Sequence, residues 1–270
     1  MSEQQPWRDS NRAFWDERVP LHMRSEFYRL EEFKRGYDPI GNRPFEIDEM
    51  GDVAGKSLLH LQCHFGMDTL AWARRGARVT GLDFSEPAIN GARELARELG
   101  IEAEFVVSDV YKADEALAGR RFDIVYTGRG ALVWLPDMVR WARVAASLVR
   151  PGGFLYLSEF HPLHEIFADD DMTLKHDYFH SEPHIWDAPG SYASPDATTH
   201  NTTFEWTHPL GEVVTAVIEA GLRLEFLHEF DYTGWKRWPF LEQTGDEVYR
   251  MPQGMPSVPL ANSLRASKPA

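Results

Sequence analysis

The chain has 270 residues, of which 43% are hydrophobic and 13% aromatic, enough for one large domain around a packed core. Its 28 basic and 42 acidic side chains leave a formal charge of −14 with no basic block, which argues against a nucleic-acid or anionic-membrane partner. Cys63 is the only cysteine, MSEQQPWRDS carries no basic-then-apolar leader, and no apolar run spans a bilayer, so a soluble cytoplasmic chain without internal disulfides is expected.

Residues 7–36 read as helical, with Trp7, Phe14, Trp15, Phe27, Tyr28, Leu30 and Phe33 spaced among charges. Pro20 predicts a break into at least two pieces. Residues 41–55 read as a polar connector with Pro44 and a Gly-Asp turn. Residues 1–50 are therefore expected to form a helical amino-terminal cap or lid, and residues 51–270 the main domain.

Residues 56–85, KSLLHLQCHFGMDTLAWARRGARVTGLDFS, read as strand, tight turn, helix, strand. Leu58, Leu59, Leu61 and Cys63 make the short apolar run of a buried parallel strand, which stops at Gly66. Leu70, Ala71 and Ala73 share a helical face that Asp68 or Thr69 can cap and Gly76 ends. Val79 to Leu82 form the next strand, finishing in Asp83. Such a turn, with an acid closing the following strand, is a ribosyl-binding βαβ unit, because a carboxylate accepts hydrogen bonds from both ribose hydroxyls. A dinucleotide's pyrophosphate needs glycines in that turn. Here the three slots hold Gln62, His64 and Gly66, which argues against a nicotinamide dinucleotide and for a ligand without phosphate.

A helix over 86–99 follows, with Ala88, Ala92, Leu95 and Leu99 on one face and Gly100 as its stop. The spacing then predicts a strand over 103–107 closing on Ser108 and Asp109, and another over 122–127. A helix over 134–149 and a Pro151-Gly152-Gly153 turn lead into a strand over 154–159. From residue 160 to 207 the pattern breaks into a stretch rich in His, Pro and aromatics, an irregular insertion that lasts to residue 209. A helix over 210–220 and strands over 222–231 and 260–268 complete the pattern, with a loop excursion over 234–258.

Taken together, LLHLQCHFG, VTGLDFS, FVVSDVY, FDIVYTG and LVRPGGFLYLSE resemble, in order and spacing, the motifs of class I S-adenosylmethionine-dependent methyltransferases of the small-molecule type. The resemblance runs from about residue 56 to 270. It implies a Rossmann-like, doubly wound α/β sheet of seven strands, mostly parallel, with an antiparallel last hairpin. It also implies S-adenosyl-L-methionine as cofactor and S-adenosyl-L-homocysteine as product. The family usually has Asp or Glu at the position of His60, and Gly where Gln62 and His64 stand, so its usual grip on the methionine end is not carried over.

On that reading Gln62, Cys63, His64 and Gly66 form the first cofactor turn, and Asp83, Phe84 and Ser85 the ribose segment. Ser108, Asp109 and Val110 form the adenine edge, with Asp109 either taking the adenine amino group or capping a helix; Thr127 and Gly128 complete the cofactor set. Trp15 and Tyr28 in the lid are candidates to face the sulfonium, where an electron-rich ring gains roughly 0.5–2 kcal/mol. Arg129, Trp134, His164, Tyr178, Trp206 and Trp235 are the acceptor-side candidates. Gly128-Arg129-Gly130 is not the Asn-Pro-Pro-aromatic signature of amino-directed members, which demotes adenine, cytosine and glutamine acceptors.

Eleven histidines raise a metal reading, with His161 and His164 three apart and His176, His180 and His184 each four apart. Pro183 interrupts the latter series and no cysteine pair supports it, so no metal is expected. His161, just after the fifth strand, is the candidate general base, since an imidazole near pKa ~6.5 can take a hydroxyl proton; the alternative is that it caps or packs. The expected reaction is methyl transfer to a small aromatic or apolar acceptor, with oxygen ahead of nitrogen and carbon. A non-catalytic or regulatory S-adenosylmethionine-binding protein and another reaction of the same cofactor, such as cyclisation, stand as alternatives.

Overall fold

The computed structural model describes residues 6–168 and 171–270, so the first five residues of the expected 1–50 cap lie outside the described residues. Three helices precede the first strand: α1 (Pro6–Arg24), α2 (Leu30–Lys34) and α3 (Pro44–Met50). Contrary to the sequence reading, α1 runs through Pro20, and the break falls at residues 25–29. A proline inside a helix removes one backbone bond. Here that loss is outweighed by a buried polar stripe, Asn11, Arg18 and His22, which anchors the helix on both sides of the proline. Residues 41–55 are not a plain connector either. Pro44 opens α3 in its first turn, where a missing N–H costs nothing, and Glu46 is fully buried against Arg43 at 3.2 Å.

The main sheet alternates with helices in the expected order. It begins with β1 (Ser57–Leu61), α4 (Met67–Arg74), β2 (Arg78–Asp83), α5 (Glu86–Leu99) and β3 (Ala103–Val107). It continues with α6 (Ala113–Ala116), β4 (Phe122–Gly128), α7 (Met138–Leu148) and β5 (Val149–Phe160). The insertion contributes a hairpin of β6 (His184–Asp187) and β7 (Thr202–Glu205), so it is not wholly irregular. Next come α8 (Leu210–Glu219), β8 (Arg223–Phe230), β9 (Tyr232–Thr233), β10 (Glu242–Gly245), β11 (Val248–Arg250) and β12 (Ala261–Ser267). The 234–258 excursion thus holds two strands of a small three-stranded sheet, β10-β11-β9.

The seven-stranded sheet has the order β3-β2-β1-β4-β5-β12-β8. Its first five strands are parallel, and β12 runs antiparallel to both β5 and β8. Period-two alternation sends neighbouring β1 side chains to opposite layers. Leu58 packs with Trp72 and Ile124 under α2 to α5, whereas Leu59 and Leu61 pack with Trp141 and Val217 under α7 and α8. Strand order reverses between β1 and β4, and a crevice therefore opens beyond their carboxyl ends. Among the described residues no helix is long and apolar enough to cross a membrane.

Candidate active site

A cavity of about 880 Å³ occupies that crevice, roofed by α1 and the insertion. Its floor is the turn after β1. Gln62 and His64 adopt φ of 57° and 50°, and Gly66 has φ of 77°. All three slots keep the left-handed backbone of a glycine turn, although two carry side chains, at a cost of roughly 1–2 kcal/mol each. Local bonds hold them there. The His64 N–H donates to Asp83 Oδ2 at 2.8 Å, and Gln62 Nε2 donates to the Ala131 carbonyl at 2.9 Å. Gly66 admits no substitute, since a Cβ there would lie 2.7 Å from the Phe105 ring and 2.9 Å from Ala92.

Asp83 ends β2 on the cavity wall, 7% exposed. Its Oδ1 accepts the Ser85 N–H at 2.9 Å, so each oxygen already holds one backbone donor and keeps lone-pair capacity toward the cavity. Burial pushes its pKa up to about 6, opposed by the Ser85 and His64 donors. A partly satisfied, buried carboxylate of this kind fits a vicinal diol, which supplies two O–H donors and no charge. Asp109 also lines the cavity. Its Oδ1 caps the turn at Tyr111 N–H (2.9 Å), and its Oδ2 lies 3.7 Å from Arg8 of α1. It caps a turn and borders the cavity at once.

Of the other residues expected at the cofactor, Trp15, Tyr28, Cys63, Phe84, Ser108, Val110 and Gly128 line the cavity. Ser85 and Thr127 do not. Ser85 faces inward as the cap of α5, accepting the Ala88 N–H at 3.2 Å, and Thr127 is fully buried in β4. Trp15 sits between His64 and Trp134, at ring separations of 5.2 and 5.1 Å. The Tyr28 hydroxyl bonds that of Tyr192, from the insertion.

The roof is one clasped unit. Arg18 of α1, fully buried, donates to the Gly190 carbonyl at 2.9 Å, the His200 carbonyl at 2.8 Å and Thr198 Oγ1 at 3.0 Å. Asn11 exchanges two bonds of 2.8 Å with the Phe204 backbone. His22 links His64 at 3.1 Å to Ser191 at 2.9 Å, which ties the turn after β1 to both roof segments.

Of the residues expected on the acceptor side, Arg129, Trp134 and Trp235 line the cavity, and His164, Tyr178 and Trp206 do not. His164 is buried between Phe160 and Trp238, and burial lowers its pKa to about 3. Tyr178 accepts the Leu210 N–H at 3.2 Å, and Trp206 packs edge-on against Trp7 at 5.5 Å. His164 and Trp206 bury their rings against neighbouring structure, and Tyr178 is half-buried outside the cavity. Glu159 fixes the loop after β4 by accepting the N–H groups of Gly130, Ala131 (2.7 Å) and Leu132 (2.9 Å). Trp134 Nε1 then closes on the Gly130 carbonyl at 2.7 Å.

His161 lines the cavity, but its ring nitrogens are engaged. Nδ1 accepts the Leu163 N–H at 3.1 Å, capping the 3₁₀ turn Pro162–Ile166, and Nε2 meets Glu229 at 2.9 Å. With Nδ1 accepting, Nε2 carries the proton and donates to Glu229, which leaves no free lone pair for an acceptor hydroxyl. The geometry is that of a cap, not of a poised base. His184 has ring contacts with His176 and His180, both at 4.8 Å, yet among the described residues no group of three metal-type side chains could hold an ion.

Sequence reasoning missed Asn11 and Arg43, whose polarity hid their burial, and also Asp68, Glu205 and Tyr192 on the lining. Burial, reinforced by Glu165, raises Glu205 to about 7.

Residues 58–153 match a family model described as a methyltransferase domain. That span covers the strands and turns that build the floor of the cavity, and the fold as a whole is similar to that of solved methyltransferases. The chain is similar, in this span and in its fold, to class I S-adenosylmethionine-dependent methyltransferases. It is 30% identical over 164 residues to a ubiquinone biosynthesis O-methyltransferase of a Methylobacterium species, covering 58% of this chain and 61% of the relative. It is 34% identical over 132 residues to the enzyme of that name from Stutzerimonas stutzeri, covering 48% of this chain and 55% of the relative. The chain thus aligns with only 55–61% of these relatives' length. In fold it is similar to the CcbJ methyltransferase of Streptomyces caelestis (TM-score 0.63, 17% identity, 96% of this chain and 98% of that one). It is also similar to the magnesium protoporphyrin IX methyltransferase of Synechocystis with bound S-adenosylmethionine (TM-score 0.56, 13% identity, 99% and 100% covered). The Synechocystis enzyme is solved with bound S-adenosylmethionine and with bound S-adenosylhomocysteine, and the Asp83 carboxylate here keeps acceptor capacity of the kind a ribose diol needs.

Proposed function

We propose that this chain transfers the methyl group of S-adenosylmethionine to an oxygen of a small aromatic or apolar acceptor. The observation that carries the reading is a single cavity joining the Asp83 floor to a wall of Trp15, Trp134, Phe160 and Trp235. Such a wall favours a flat, apolar partner. The names of the sequence relatives support oxygen as the acceptor atom.

When bound, the cofactor supplies a methyl group already activated by its sulfonium. The protein's work is then alignment and exclusion of water. Asp83 and the turn at residues 62–66 hold the nucleoside, while Trp15 and Tyr28 line the cavity from the roof side. Glu159 fixes residues 130–132, so Trp134 is held as a rigid wall. The clasp between α1 and the insertion holds the roof over the cavity. Because His161 has no free lone pair, transfer to a hydroxyl depends on proximity and on the acceptor's own acidity. Incubation of the protein with labelled S-adenosylmethionine and a panel of phenols tests the reading. Label is expected in a phenol ether; label only in amines, or none in any acceptor, would overturn it.

A further inference from the structure

Histidines aside, the basic side chains lining the cavity are Arg8, Arg29, Arg43, Arg129 and Lys236. Three of these arginines have carboxylate partners: Arg8 with Asp109 at 3.7 Å, Arg29 with Asp246 at 3.0 Å and Arg43 with Asp68 at 2.8 Å. Arg129 is the exception. It is half-buried, and among the described residues its guanidinium makes no hydrogen bond or ion pair. That is unusual in a chain whose acidic side chains outnumber its basic ones by 42 to 28.

The backbone around Arg129 is fixed, and space is kept for its side chain. Its N–H donates to the Ser158 carbonyl at 3.2 Å, and the N–H groups of residues 130–132 go to Glu159. Gly234 supplies the space, since a Cβ there would overlap Arg129 Nη1. The next residue, Trp235, packs on Phe160 at a ring separation of 5.5 Å and on Tyr192 at 6.5 Å. The guanidinium therefore stands beside the aromatic wall of the cavity. Lys236 follows, exposed at the rim and, among the described residues, also without a hydrogen bond or ion pair. A planar guanidinium on a rigid loop, partly desolvated and without a counter-ion, matches a carboxylate through two parallel N–H···O bonds.

We infer that Arg129 is an anion subsite for the methyl acceptor, and that the acceptor is an aromatic hydroxy acid, with its ring against Trp235 and Phe160 and its carboxylate on Arg129. The inference rests on the proposed function and narrows it from a flat, apolar acceptor to one that also carries a negative charge. Lys236 adds positive potential at the entrance, which draws an anion toward a chain that otherwise repels it. A neutral phenol would leave the guanidinium without a partner and gain nothing from it.

Calorimetry on the protein saturated with S-adenosylhomocysteine tests it, using hydroxybenzoates, hydroxyphenylacetates and hydroxycinnamates, each beside its uncharged carboxamide. At least one acid should bind roughly 10–100-fold more tightly than its amide, and Arg129→Met should remove that preference. Affinity for S-adenosylhomocysteine should stay within about twofold. Arg129→Lys, which keeps the charge but not the fork, should restore part of the preference. Gly234→Ala, whose methyl displaces the guanidinium without removing it, should act in the same direction as Arg129→Met and keeps the test alive if that variant misfolds. A wild-type protein that prefers no acid to its amide, or a preference that Arg129→Met leaves intact, would overturn the inference. So would a loss of about tenfold or more in S-adenosylhomocysteine affinity in Arg129→Met, which would assign the guanidinium to the cofactor's own carboxylate. Arg129-dependent binding of an acid that is never methylated would keep the subsite and refute the transfer reading beneath it.

Discussion

Replacing Asp83 with Asn probes the floor of the site while nearly preserving shape. Asp83 serves two masters: its oxygens accept the His64 and Ser85 N–H groups at 2.8 and 2.9 Å, and they face the cavity. Asparagine keeps one oxygen and turns the other into a donor. If the amide faces His64, a buried N–H loses its acceptor, costing roughly 1–3 kcal/mol, and the strained turn at Gln62 and His64 loses its tie. One ribose hydroxyl loses a charge-assisted bond worth about 1.5–3 kcal/mol, which is roughly 10–150-fold in affinity. Calorimetry should therefore show S-adenosylhomocysteine weakened by at least about tenfold, with the melting temperature lowered by roughly 2–10 °C. A ligand lacking the 2′-hydroxyl separates the two effects, because the penalty on binding should shrink with it while the melting shift stays. Affinity within about threefold of wild type would refute the ribose role of Asp83.

Three further outcomes follow from the geometry. Cofactor affinity should fall as pH drops through about 6, the raised pKa of Asp83; the same shift means that its ionisation costs the empty protein stability as pH rises from 3.8 to about 6. A binding profile flat from pH 5 to 7.5 would contradict this. His161→Gln should keep turnover within about threefold and the same pH profile, since its lone pair already caps a turn; a drop of roughly 10²-fold or more with loss of the rise toward neutral pH would restore it as general base. Arg18→Ala should destabilise the chain by roughly 2–4 kcal/mol and raise hydrogen exchange in residues 187–204 far more than in β1 or β4, whereas uniform exchange would show that the clasp is not a separate unit.

Much of the frame was legible because its signals are local. The helix Glu86–Leu99 and the strand Ala103–Val107 fall on the expected residues, since one has a clean apolar stripe and the other ends at a polar pair. Asp83 was readable from its place at a strand end. Other parts were not, because the forces that set them are non-local. The inward face of α1 is polar, with Asn11 and Arg18 satisfied by backbone atoms about 180 residues away and His22 by the side chains of His64 and Ser191, so aromatic periodicity pointed elsewhere and Pro20 was overrated. The helix expected over 134–149 starts only at Met138, because Pro136 interrupts it and Asp137 caps it. His161 stands at the predicted strand end, but the Leu163 N–H that occupies its lone pair becomes visible only once the chain has turned.

The most direct test of the central claim is calorimetry on the wild-type chain with S-adenosylhomocysteine, NAD and NADP in parallel. The side chains of Gln62 and His64 fill two slots that a pyrophosphate would need as glycines, beside the Asp83 carboxylate. One S-adenosylhomocysteine should therefore bind per chain, with no heat from either dinucleotide. Saturable binding of NAD or NADP with none of S-adenosylhomocysteine would contradict the account at its base.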